Sequence, residues 1–75
     1  MTPDTKAEMV ALARRHVTEG RAVVERQRLR VQKLASASHS TEDAKRMLHF
    51  FEDTLAIFEK HLRDLTEGAN HGRRA

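Results

Sequence analysis

At 75 residues the chain has room for one domain, and with no cysteine it has neither a disulfide framework nor a thiolate metal site to support one. A third of its residues are charged, 4% are aromatic, and it holds one proline and three glycines, a composition that suits a helical bundle. The net charge is +3, no run approaches the roughly 18 apolar residues of a membrane span, and the polar start lacks the apolar core of a signal peptide, so the chain reads as soluble and cytoplasmic.

Thr2-Pro3-Asp4 is a helix start: proline is tolerated in the first turn, and Asp4 and Glu8 suit the positive end of the helix dipole. A ladder of Val10, Val17, Val24 and Val31 follows, with Ala13, Gly20, Gln27 and Leu34 three residues on from each. Small or apolar side chains recurring every three and four residues line one seam of a helix. The first helix is expected over about residues 4–35, about 48 Å long at 1.5 Å per residue.

Ser36-Ala37-Ser38-His39-Ser40 breaks that helix, because serines compete for backbone hydrogen bonds and favour turns and caps. Ser40 or Thr41 then caps a second helix, with Glu42 and Asp43 in its first turn. Its seam is Ala44, Leu48, Phe51, Leu55, Phe58, Leu62 and Leu65. It is expected over about residues 41–66, with Gly68 as the stop and residues 67–75 as a frayed tail.

A short elbow makes the two helices antiparallel. With the fold-back near residue 39, Leu34 meets Ala44, Val31 meets Leu48, Gln27 meets Phe51, Val24 meets Leu55, Gly20 meets Phe58, Val17 meets Leu62 and Ala13 meets Leu65. Large faces small at three of these levels, which is how a core fills without voids. Charge agrees. Residues 1–37 carry eight Lys/Arg against four Asp/Glu, and residues 38–65 carry four against six, so a basic helix lies beside an acidic one. The expected fold is all-α: a two-helix antiparallel coiled-coil hairpin.

Domains this small rarely gain more than about 3–5 kcal/mol from one core, so a second copy is the natural support. Phe50 and Ile57 lie off the seam of the second helix, flanked by Met47, Thr54 and His61, and Val23 and His16 lie beside the seam of the first. A hairpin cannot bury both the seam and this second stripe. Exposed apolar stripes mark interaction surfaces, and a symmetric homodimer forming a four-helix bundle covers them. Met47, Phe50, Ile57 and Val23 are therefore the candidate interface. A helical protein partner in the groove is the alternative occupant. Met9, Val10 and Leu12 extend beyond the shorter second helix and also call for cover. Gly20 makes room for Phe58 or another helix, and Gln27, the polar residue of the first seam, is suited to fixing register in an assembly.

Five histidines raise the question of metal. His16 and His61 come near each other at the open end, but the Glu-x-x-His order of di-iron bundles is missing and the glutamates look solvent-facing, so these residues read as the polar rim of the core. Arg14, Arg21 and Arg28, with neighbouring cations, make the first helix basic and are the candidate polyanion-binding residues. Their charges spread around the helix, and no aromatic residue there can stack on bases. Every serine lies in or near the elbow, and no glycine-rich phosphate loop occurs, so no catalytic residue, cofactor-binding residue or metal ligand is assigned.

His16-Val17-Thr18-Glu19-Gly20-Arg21, Val24-Glu25-Arg26-Gln27, Thr41, Phe51-Glu52-Asp53-Thr54-Leu55 and His61-Leu62 together resemble small uncharacterised helical-hairpin proteins of proteobacteria, rhizobia-like ones in particular. The resemblance spans roughly residues 14–65. It implies a bacterial cytoplasmic origin and, since that group has no assigned activity, nothing about mechanism. The expected function is a non-enzymatic protein–protein interaction or structural module. The alternative is a small basic nucleic-acid-binding regulator working through the first helix.

Overall fold

The computed structural model of the chain describes residues 5–72, and side chains as far as Glu67. Its elements are two helices, α1 (Lys6–Ser36) and α2 (Glu42–Gly72), packed against each other as a hairpin, with no strand among the described residues. Arg21 reaches Glu59 and Arg28 reaches Glu52, so position rises along one helix as it falls along the other, and the pair is antiparallel.

α1 begins at Lys6 with Thr5 as its extended cap, slightly later than the proline suggested; Thr2, Pro3 and Asp4 lie outside the described residues. The Thr5 side-chain oxygen accepts from the Glu8 N–H at 3.1 Å and donates to the Glu8 carboxylate at 2.8 Å. That satisfies one of the orphan amides of a first turn and places a carboxylate at the positive end of the dipole.

The helix closes on a hydrogen-bonded cap. The Ser38 N–H donates to the Ala35 carbonyl at 3.1 Å and the His39 N–H to the Leu34 carbonyl at 2.9 Å, while Ser38 takes a left-handed φ of 60°. These are the two bonds of a Schellman motif, with serine where glycine is usual. Thr41 then leads into α2, its carbonyl accepting from the Lys45 N–H at 2.8 Å.

The expected end of α2 at residue 66 needs correcting. The backbone stays helical through Gly68 to Gly72, so α2 runs past the expected end, and residues 73–75 lie outside the described set. Glycine ends a helix only when it turns left-handed, and among the described residues no glycine has positive φ. No proline follows Gly68 to block the next turn. Both helices therefore have 31 residues, and the expected overhang of α1 beyond a shorter partner disappears.

The two seams face each other. Ala13, Val17, Val24 and Ala44 are buried, while Val10, Gly20, Gln27, Val31, Leu34, Leu48, Phe51, Leu55, Phe58, Leu62 and Leu65 are partly buried. Among the described residues no large side chain is fully buried. With two helices in contact, each seam is covered by one neighbour from one side only. The hairpin's accessible surface of 6114 Å² exceeds the about 4,700 Å² expected of a folded monomer of this mass.

Candidate functional site

The two broad faces of the hairpin differ in chemistry, and helix geometry makes them do so. Successive residues turn by about 100°, so side chains two apart in sequence point to nearly opposite sides. On α2, Phe50 and Ile57 are each two residues from Glu52 and Glu59; on α1, Val23 is two residues from Arg21. The packing puts Arg21, Arg28, Glu52 and Glu59 on one face and Val23, Phe50 and Ile57 on the other.

On the polar face, Arg21 Nη2 lies 3.5 Å from Glu59 Oε2, and Arg28 Nη2 lies 3.3 Å from Glu52 Oε2. Arg28 also reaches Glu25 at 3.6 Å on its own helix. Toward the open end, Arg14, Arg21, Arg63, Glu59 and Thr66, together with Val17 and Leu62, line a shallow depression. Two of the three candidate polyanion-binding arginines, Arg21 and Arg28, thus have carboxylate partners inside the hairpin, and a phosphate would have to compete with them. The cations Arg26, Arg30 and Lys33 surround exposed Leu29 near the elbow, with no aromatic ring among them.

The opposite face is apolar. Phe50 is 62% exposed, Ile57 66% and Met47 48%. Val23 is half-buried beside them, and Met9 and Leu12 are exposed farther along α1. The Phe50 ring leans edge-on against Phe51 with centroids 5.9 Å apart. Between the helices runs a groove of about 270 Å³, with Glu19, Gly20, Val23, Phe50, Phe51 and Phe58 among its lining residues. Gly20 forms part of the floor: a Cβ built on it would stand 3.2 Å from Leu55 Cδ1 and 3.5 Å from Phe58 Cδ2. The groove exists because Gly20 contributes no side chain at the level of Phe58, the pairing expected from sequence.

His16 stacks against Phe58, with ring centroids 5.2 Å apart, and so covers part of the core. Among the described residues no group of three or more His, Asp or Glu is placed to hold a metal ion, and no helix is long and apolar enough to cross a membrane. Gln27 does not point to the apolar face. Its Nε2 donates to the Ala44 carbonyl at 2.9 Å, two helical turns nearer the elbow than the expected neighbour Phe51.

Met47, Phe50, Ile57 and Val23 share one surface with Gly20 at its floor, while Gln27 is tied off within the hairpin. The interhelical ion pairs escaped the sequence reading, although the signal was present: arginines seven apart at 21 and 28 match glutamates seven apart at 52 and 59 in reverse order. Comparison with family models, curated proteins and solved structures found no match.

Proposed function

We propose that the chain is a non-enzymatic protein–protein interaction module of the bacterial cytoplasm that self-associates through its apolar face, two hairpins forming a coiled-coil four-helix bundle. The observation that carries this reading is the contrast between the faces. One is laced by Arg21–Glu59 and Arg28–Glu52, whereas the other leaves Phe50, Ile57 and Met47 in water beside an apolar groove. Exposed apolar surface of this extent is a binding surface, and a second copy supplies a complementary one by symmetry. The engagement of Arg21 and Arg28 with carboxylates counts against the nucleic-acid alternative.

Replacing Phe50 and Ile57 together with glutamate tests the proposal. The expected result is a dimer for the parent chain and a monomer for F50E/I57E by sedimentation equilibrium, with a much lower melting temperature for the variant. A parent chain that sediments as a monomer, or a variant with unchanged mass, overturns it.

A further inference from the structure

We infer that the second copy lies on the apolar face with its elbow at the opposite end of the bundle, about a twofold axis passing beside Thr54, so that Phe50 of each copy enters the groove above Gly20 of the other. This rests on the homodimer reading and adds the arrangement of the two copies.

Surface area argues for a second copy as the occupant. The apolar face exposes Met9, Leu12, Met47, Phe50 and Ile57 together, and a standard interface buries about 800 Å² on each partner. A single hairpin face is broad enough to supply that area, and an isologous contact uses it twice.

The stripe along α2 argues for the direction. Met47, Phe50, Thr54, Ile57 and His61 alternate spacings of three and four, and the pattern is centred on Thr54. Reversing the helix about Thr54 exchanges Met47 with His61 and brings Phe50 within one residue, about 1.5 Å of rise, of Ile57. An antiparallel copy therefore places its own stripe in register, each aromatic ring at the level of an aliphatic side chain.

Volume decides between the two possible twofold arrangements. The contact of Gly20 with Phe58 puts Ile57 near the level of Gly20, with Phe50 two turns nearer the elbow. With both elbows at the same end, each layer meets its own duplicate. One layer would hold two Phe50 rings, and another two Ile57 over two Gly20, so the first is overfull and the second leaves a void. With elbows at opposite ends, Phe50 of one copy shares a layer with Ile57 and Gly20 of the other, and the volumes even out. The groove over Gly20, open in the single chain, lies at the level of the partner's Phe50.

Charge opposes this only weakly. Elbows at the same end would set the basic α1 over the acidic α2, but these are solvated side chains whose attraction salt screens, whereas a misfilled layer has no such remedy. The opposite-end arrangement also brings Glu19, which lines the groove, to about the level of the partner's Arg26.

The chain has no cysteine, so a nitroxide on His39→Cys reports from the elbow alone. His39 is exposed, and its bond to Leu34 uses the backbone N–H, which the substitution keeps. Pulsed dipolar spectroscopy on the labelled protein should give a separation of about 45 Å, twice the rise from residue 39 to residue 54. A separation within about 20 Å, two interhelical spacings, places the elbows together and overturns the arrangement while leaving the homodimer intact. Absence of any intermolecular distance, with a monomer mass in the ultracentrifuge, overturns the homodimer itself.

Discussion

Gln27 Nε2 lies 2.9 Å from the Ala44 carbonyl oxygen, tying the middle of α1 to the first turn of α2. Most side chains of this core make only non-directional contacts, which tolerate sliding by a turn. A hydrogen bond to a fixed backbone atom does not slide, so this one sets where α2 starts along α1. Gln27→Ala should lower unfolding stability by about 1 kcal/mol, the usual net worth of such a bond, since the Ala44 carbonyl remains near helical partners and water. Urea denaturation of the parent and the variant checks this. An unchanged midpoint would mean that the amide contributes nothing to the hairpin.

Gly20 costs α1 roughly 0.8–1.0 kcal/mol relative to alanine by intrinsic propensity. A methyl there would press on Leu55 Cδ1 at 3.2 Å, the far end of a partly buried side chain that borders the open groove and can shift by a few tenths of an ångström. Gly20→Ala should therefore leave the hairpin as stable as before or more stable by less than about 1 kcal/mol. Gly20→Leu is too large for that adjustment and should destabilise it by about 1–3 kcal/mol. Thermal unfolding of both variants tests the pair of signs. A severe loss with alanine would show that Leu55 cannot yield.

Ser38 holds φ at 60°, where an L-residue without special compensation is disfavoured by roughly 1–2 kcal/mol. Glycine removes that penalty but gains freedom in the unfolded chain. Ser38→Gly should raise stability by about 0.5–1 kcal/mol, a rise in melting temperature of about 2–8 °C for a chain of this size. A lower melting temperature would show that the serine hydroxyl does more for the elbow than glycine's backbone freedom replaces.

Much of the fold was legible because it is local. The seven-residue ladders from Val10 to Val31 and from Leu48 to Leu62 follow from the helical repeat, and every seam position is buried or partly buried. The elbow was legible from its serines, and the closeness of Gly20 and Phe58 from matching small to large. The start of α1 could have been read better. Thr5 followed three residues later by Glu8 is a capping signature, and it outweighed the proline. Gly68 misled because glycine permits a stop without enforcing one.

The chain alone determined two helices, their seams and a fold-back, because periodicity and capping depend on neighbours a few residues away. It also determined that each helix carries an apolar flank and a charged flank, but not which flanks would share a side of the molecule. That depends on how far each helix rotates about its axis as the seams mesh, a property of packing between residues distant in sequence. The rotation adopted gathers Arg21, Arg28, Glu52 and Glu59 on one face and Val23, Phe50 and Ile57 on the other, and it turns Gln27 toward Ala44. Only the tertiary structure could convert two amphipathic helices into a molecule with one ion-paired side and one exposed apolar side.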